Sequence, residues 1–162
     1  MPARRGSAAT ISLRKTQPRR RSRPVVSLGV LEERLGYFVR RLQVWIFQDL
    51  IRRLAPLDLS PAQFSVLAVI SANRGLSQAE LAATLGIERA RLVRLLHLLE
   101  RRGLTKRLSS LTDARRHSLR LTPDGQKVLA RAKILAAQHE TALKQKLGDA
   151  RYQLLFTAVR EP

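Results

Sequence analysis

The segment LSQAELAATLGIERARLVRLLHLLERRG, residues 76–103, decides the fold of this chain. Ser77 and Glu80 have the spacing of a capping box, in which each side chain bonds a free backbone amide at a helix start. Gly86 suits the left-handed conformation that ends a helix, and a second helix follows it directly and ends at Gly103. Two helices joined by so short a turn predict a helix-turn-helix.

The second helix of this motif has two unlike faces. Its predicted core side consists of Leu92, Val93, Leu96 and Leu99. The opposite side carries Arg89, Arg91 and Arg94 near the N-terminus. The N-terminal part of such a helix enters the major groove of DNA, where arginine can pair with guanine. We therefore predict DNA contacts for these three arginines; the alternative is that they are ordinary solvated charges.

The segment after Gly103 predicts a β-hairpin. Residues 104–108 and 118–121 alternate between apolar and polar side chains, as short strands do, and they flank a polar loop at 109–117. Arg115 in this loop can enter the narrow minor groove of DNA. Asp113 can hold the Arg115 guanidinium in a bidentate pair. The hairpin is therefore expected to act as a DNA-contacting wing.

Five short motifs follow one another along residues 59–125. They are LSPAQF (59–64), LSQAELA (76–82), LERRGL (99–104), DARR (113–116) and LTPDG (121–125). In this order and spacing the set resembles the MarR family (multiple antibiotic resistance regulators). The resemblance implies a homodimer whose two wings grip one palindromic operator, with Arg115 in the minor groove and Asp113 and Arg116 supporting the wing. Most members of that family repress transcription and release DNA when a small molecule binds.

The chain divides into four parts. Residues 1–27 carry eight Lys or Arg and no Asp or Glu, which predicts a flexible basic arm. This arm contacts DNA phosphates, resembles an organellar transit peptide, or is a solvated tail, and the sequence leaves these alternatives open. Residues 28–58 predict an N-terminal dimerisation helix, 59–121 the winged helix-turn-helix, and 122–162 the C-terminal dimerisation helices. The predicted fold is mainly α with a small β-hairpin wing, and its N- and C-terminal helices form a dimerisation region.

Composition limits the classes of function. The net charge of +19, from 31 Lys and Arg against 12 Asp and Glu, favours DNA or an anionic membrane surface as a partner. The chain has no cysteine and its three histidines form no ligand motif, so no metal or cofactor is predicted. No apolar run approaches the ~18 residues that span a bilayer. No nucleophile–base pair or phosphate loop marks an enzyme. We expect a cytoplasmic, non-enzymatic protein whose partner is double-stranded DNA and not a membrane.

The resemblance also implies an effector site. In MarR-like proteins the usual pocket lies between the first helix, the second helix and the DNA-binding lobe. The candidate residues here are Tyr37, Arg40, Arg41, Trp45 and Phe64. The alternative is that these aromatic rings only fill the core or an interface. Residues 40–49 resemble family members tied to aromatic-acid catabolism, some of which sense aryl-coenzyme A thioesters.

Two functions follow from these patterns. The first is a sequence-specific repressor that a small aromatic acid or an aryl-CoA thioester releases from its operator. The alternative is an architectural DNA-binding protein with little sequence specificity and no ligand. A preference for one DNA sequence over competing DNA distinguishes them.

Overall fold

The computed structural model describes residues 26–73, 75–109 and 117–160. Its elements, in chain order, are α1 (Leu35–Leu54), α2 (Pro61–Ala72), α3 (Gln78–Leu85), α4 (Arg89–Arg101), β1 (Thr105–Ser109), β2 (His117–Leu121), α5 (Pro123–Leu147) and α6 (Asp149–Arg160). Short 3-10 helices cover Gly29–Glu33 and Ala55–Leu57. This mainly helical chain with one small antiparallel sheet confirms the predicted fold class.

Residues 26–34 belong to a separate unit, because the second compact unit of the chain starts at Leu35. In the 3-10 helix of this segment, the Ser27 hydroxyl accepts a hydrogen bond from the Gly29 N–H at 3.1 Å. Arg34 is extended, with φ −107° and ψ 107°. The sequence predicts helix from about residue 28, but α1 begins only at Leu35 because the extended residue interrupts the helical hydrogen bonds.

α2 closes the core of the helix-turn-helix. The Ser60 hydroxyl accepts from the Gln63 N–H at 3.2 Å, and the Gln63 side-chain oxygen accepts from the Ser60 N–H at 2.8 Å. Pro61 takes the first helical position, where a missing N–H costs nothing. The largest fully buried side chains are Leu54, Val66, Leu67, Leu81, Leu92, Leu96, Leu99 and Leu119. They come from α1, α2, α3, α4 and β2, so the core joins α1 to the helix-turn-helix and the hairpin.

The two strands form the base of the predicted wing. β1 and β2 are antiparallel, with Thr105 opposite Leu121 at the base of the hairpin. The Leu119 N–H donates to the Leu76 carbonyl at 3.0 Å, which ties the hairpin to the segment before α3. Arg107 Nε lies 2.8 Å from Glu100 Oε1, so β1 is also paired with α4. The base of the hairpin is thereby fixed against the helix-turn-helix.

α5 starts at the hairpin and continues away from it for 25 residues. The Thr122 hydroxyl accepts from the Gly125 N–H at 3.0 Å and donates to the Gly103 carbonyl at 2.6 Å. Gly125 is needed here, because a Cβ would lie 1.9 Å from the Leu104 carbonyl oxygen. A helix of this length extends about 37 Å. It therefore reaches beyond the helix-turn-helix and packs beside α1 and α6.

α1, α5 and α6 pack together, and we call these three helices the arm; residues 1–27 are called the basic N-terminal arm. Tyr152 of α6 is buried and its hydroxyl donates to the Glu140 carboxylate of α5. That bond raises the pKa of Tyr152 to about 12. In the described part of the chain no single helix is long and apolar enough to cross a membrane; only the bent pair Leu35–Leu57 and Pro61–Ala72, at 73°, reaches that length and hydropathy together.

Candidate nucleic-acid interface

The turn between α3 and α4 sets where the second helix starts. The Ser77 hydroxyl accepts from the Glu80 N–H at 3.2 Å, and the Ser77 N–H donates to the Glu80 carboxylate at 2.8 Å, which is the predicted capping box. Gly86 adopts φ 60°, and its N–H bonds the last carbonyls of α3. The chain therefore reverses within three residues, and α4 begins at Arg89.

α4 presents its arginines outward. Leu92, Leu96 and Leu99 are buried, whereas Arg89, Arg91 and Arg94 are exposed. None of these three arginines makes a hydrogen bond or an ion pair with the residues that the structure describes. Their guanidinium groups are therefore available to an external anion or hydrogen-bond acceptor.

The outer face of α4 differs from its prediction in two ways. Val93 was expected in the core but is 38% exposed, because one helical step from Leu92 rotates it 100° away from the buried stripe. The outward face also continues to His97 and Arg101, which line a surface cavity with Arg94. Their spacing of three and seven residues from Arg94 is the sequence signal that places them on this face.

The other predicted DNA contacts belong to the loop between β1 and β2. Asp113, Arg115 and Arg116 lie outside the described residues. Their positions stay a prediction that rests on the sequence motif. The described strands end at residues 109 and 117, so they fix where that loop leaves the domain.

A charged cluster joins α1 to α5. Asp49 Oδ2 lies 2.7 Å from Arg53 Nε and 2.9 Å from His139 Nδ1, while Asp49 Oδ1 accepts more loosely from Arg52 at 3.3 Å. His139 is 5% exposed. The hydrogen bond from Arg53, and next that from His139, hold the pKa of Asp49 far below its usual value. Asp49 is therefore ionised and His139 donates through Nδ1.

The five predicted effector residues do not gather in one place. The Arg41 guanidinium lies 5.8 Å from the centre of the Tyr37 ring. Trp45 lies two turns beyond Tyr37 on α1 and lines a small cavity of about 20 Å³ with Asp49, His139 and Lys146. The remaining two candidates are an exposed Arg40 and a Phe64 that packs partly buried against the core.

A larger groove lies between the end of α1, the start of α2 and the end of α4. It has a volume of about 770 Å³ and is open to solvent. Its apolar walls include Ile51, Leu59 and Leu98, and its basic residues are Arg101 and Arg102. The sequence carries no local signal for this groove, because its walls come from three separate segments of the chain.

Known proteins share this sequence and architecture. The profile of the MarR family matches residues 57–116. A putative transcriptional regulatory protein for the hcr operon of Thauera aromatica is 33% identical over 123 residues, which cover 75% of this chain and 74% of that protein. The chain thus matches the greater part of a transcriptional regulator.

The similar solved structures include the transcriptional repressor CouR in two complexes. CouR bound to a 23-mer DNA duplex is 44% identical, with a TM-score of 0.79, and the match covers 83% of this chain and 96% of CouR. CouR bound to p-coumaroyl-CoA is 43% identical, with a TM-score of 0.78, over 83% of this chain and 95% of CouR. The sequence matches and the shared winged helix architecture agree, and the relatives are regulators and not enzymes. The chain belongs to the MarR family of transcriptional regulators.

Proposed function

We propose that the protein is a repressor that binds a palindromic operator as a homodimer and releases it when an aryl-CoA thioester or an aromatic acid binds. The observation that carries the DNA part is the outward arginine face of α4, which has no partner among the residues that the structure describes. In this role Arg89, Arg91 and Arg94 enter the major groove. The similarity to CouR, which is known in complex with a DNA duplex, supports this assignment.

The wing supplies the second set of DNA contacts in this proposal. Arg115 enters the minor groove, Asp113 holds its guanidinium, and Arg116 supports the loop. The well-anchored base of the hairpin supports this role, since a wing must be held rigidly beside α4 to reach the neighbouring groove.

In this proposal a second copy of the chain covers the arm formed by α1, α5 and α6. α1 has Leu54 as its only buried residue and carries exposed apolar side chains such as Leu35 at 78% and Val39 at 53%. On α6, Leu154 is 73% and Val159 is 72% exposed. Exposed apolar surface concentrated on two neighbouring helices is typical of an interface. A homodimer through the first and last helices removes this surface from water and places two α4 helices on one operator.

The effector part rests on the arm and on the similarity to CouR bound to p-coumaroyl-CoA. Trp45 offers an aromatic surface beside Lys146, whose ammonium lies 5.9 Å from the centre of the indole ring. Tyr37, Arg40, Arg41 and Phe64 are the remaining contacts in this proposal. Arginines suit the phosphates and carboxylates of such a ligand because the guanidinium binds two oxygens at once.

An Arg94→Gln variant tests the DNA part. Loss of a bidentate base contact weakens operator binding by roughly 10- to 100-fold at fixed salt. Arg131→Gln, which removes one exposed charge from α5, is the matched control and should change affinity far less. Fluorescence anisotropy with the DNA beside the gene measures both variants. Equal losses for the two variants would show that α4 does not read DNA bases.

Competition with unrelated DNA tests the alternative of an architectural protein, which the net charge of +19 favours. A specific repressor keeps a preference of roughly 10³-fold or more for its operator. If the basic N-terminal arm contacts phosphates, removing residues 1–27 should also lower the slope of log affinity against log salt concentration. The expected decrease is about 0.9 for each phosphate contact that is lost. Binding that shows no sequence preference would replace the repressor by the architectural function.

The single tryptophan makes the effector part testable by fluorescence. Titration with p-coumaroyl-CoA should change Trp45 emission and reduce operator binding, whereas free coenzyme A, which lacks the aryl group, is the control. Aromatic acids are titrated in the same way, and isothermal calorimetry checks each compound. If no compound gives heat or a fluorescence change, the effector part is wrong and the DNA part still stands.

A further inference from the structure

Arg102 links the end of α4 to the end of α1. It is the C-terminal cap residue of α4. Its Nη2 donates to the Leu57 carbonyl at 2.8 Å, and its Nη1 donates to the Asp58 carbonyl and lies 3.6 Å from the Asp58 carboxylate. The side chain is only 29% exposed, so these bonds are partly shielded from water.

The two carbonyls that Arg102 holds belong to a rigid junction between α1 and α2. Leu57 and Leu59 on either side of Asp58 are buried in the core. Asp58 itself has φ 49°, the one left-handed residue other than glycine in the described chain. The Asp58 N–H bonds the Ala55 carbonyl at 2.9 Å. The junction cannot rotate freely, so Arg102 is anchored to a fixed point three to four residues beyond α1.

Elsewhere, α1 and α4 face one another across open space. Ile51 of α1 and Ala55, the residue after α1, line one side of the groove of about 770 Å³, and Leu98 and Arg101 of α4 line the other. Ile51 is 50% and Leu98 is 40% exposed, so close apolar packing does not lock the two helices here. Within the described part of the chain, the planar fork of Arg102 hydrogen-bonds the end of α4 to the junction that follows α1.

We propose that Arg102 is a positioning residue that fixes the angle of the recognition helix α4 relative to the arm helix α1. In a dimer joined through the arm, this angle sets the separation of the two α4 helices, and thus the half-site spacing that the dimer accepts. The inference rests on the proposed binding of a palindromic operator by a homodimer. It assigns Arg102 no contact with DNA bases.

Charge and geometry can be separated by substitution at this position. Arg102→Lys keeps the positive charge, but a single ammonium on a flexible stem cannot reproduce the planar fork that holds two carbonyls. Arg102→Gln removes the charge as well. Arg101→Gln is the matched control, because Arg101 is the exposed neighbour with the same charge and no hydrogen bond among the described residues.

The first readout is binding to operators that differ by one inserted or deleted base pair between the half-sites. We expect the unsubstituted protein to prefer its own spacing by about tenfold or more, and both Arg102 variants to reduce that preference to about twofold. Arg101→Gln should weaken binding to all spacings alike. Arg102→Lys that keeps the original preference, or that weakens binding equally at every spacing, would overturn the proposal.

The second readout needs no DNA, so it stays informative if the proposed operator binding fails. The chain has no cysteine, and Gln48→Cys on α1 with His97→Cys on α4 therefore gives two unique spin-label sites. Labelled protein is diluted with excess unlabelled protein so that only distances within one chain are measured. We expect the distance distribution to become about twice as broad with Arg102→Lys and to stay unchanged with Arg101→Gln. Equal widths in all three proteins would show that Arg102 does not fix α4 to α1.

Discussion

Asp49→Asn should weaken the contacts between α1 and α5 and lower the free energy of unfolding by about 2 kcal/mol. The two short bonds, from Arg53 Nε at 2.7 Å and His139 Nδ1 at 2.9 Å, both end on Asp49 Oδ2. An asparagine can offer its neutral amide oxygen at the same position, so both bonds remain but lose the negative charge of their acceptor. Bonds to charged groups contribute ~1.5–3 kcal/mol and neutral ones ~0.5–1.5 kcal/mol. Two such bonds lose about 2 kcal/mol together, and the contact with Arg52, whose side chain is 67% exposed, adds little.

Urea and thermal unfolding at one fixed protein concentration measure this loss, because the stability of a dimer depends on concentration. In a chain of this length, about 2 kcal/mol corresponds to a drop in Tm of about 4–8 °C. Asp58→Asn is the matched control: the side chain of Asp58 is 92% exposed, and its ion pair with Arg102 is 3.6 Å long. That variant should stay within about 0.5 kcal/mol of the unsubstituted protein. Equal midpoints for the two variants would refute the proposed strength of the Asp49 cluster.

The difference in stability between the unsubstituted protein and Asp49→Asn should change with pH in one definite direction. The pKa of Asp49 is lowered in the folded protein, chiefly by the hydrogen bond from Arg53. Asp49 therefore adds stability at any pH above its ordinary pKa of about 3.9, and this stability is lost as the pH falls toward the folded value. The difference between the unsubstituted protein and Asp49→Asn should stay constant from neutral pH to about pH 5 and narrow below it. A difference that grows as the pH falls would contradict this account.

Four further substitutions test the packing around the helix-turn-helix and the arm. Gly125→Ala should destabilise the fold by at least about 1–3 kcal/mol, because its Cβ would lie 1.9 Å from a backbone oxygen of Leu104; urea unfolding of this variant measures the loss. Ser77→Ala should cost about 1 kcal/mol by removing the cap of α3, and circular dichroism during thermal unfolding should show it. Tyr152→Phe should abolish an absorbance transition near pH 12, whereas Glu140→Gln should shift that transition to lower pH.

The helix-turn-helix was predictable because its determinants are local. The hydroxyls of Ser60 and Ser77 each bond an amide three residues further along the chain. Gly86 ends α3 through carbonyls no more than four residues away. Each of these bonds is encoded within one helical turn, so the sequence carries the signal at the site itself. The boundaries of α2, α3 and α4 follow from such signals.

The arm and the junction were less predictable because their determinants are distant. Asp49 and His139 are 90 residues apart, and Arg102 bonds a carbonyl 45 residues away. Neither pair lies in a motif that specifies its partner. Val93 was wrongly assigned to the core because an apolar side chain on a helix does not reveal how the helix is rotated against its neighbours. The DNA contacts and the effector contacts stay predictions, as nothing yet tests them directly.

The proposed function requires that an effector bound to the arm change the affinity of α4 for DNA. α1 is part of the arm, and the junction after it holds Arg102 at the end of α4, so α1 connects the effector region to α4. In the C-terminal half of α1, Asp49 is bonded to His139 beside the cavity that Trp45 lines. Just beyond its end, two carbonyls hold Arg102 of α4. An effector shifts the equilibrium between a DNA-binding and a non-binding arrangement of the protein only by the difference in its affinity for these two arrangements. A loss of about 100-fold in operator affinity needs about 2.7 kcal/mol of coupling free energy. One or two hydrogen bonds to charged groups are worth that much, so repacking either cluster along α1 is enough to release DNA without rearranging the core.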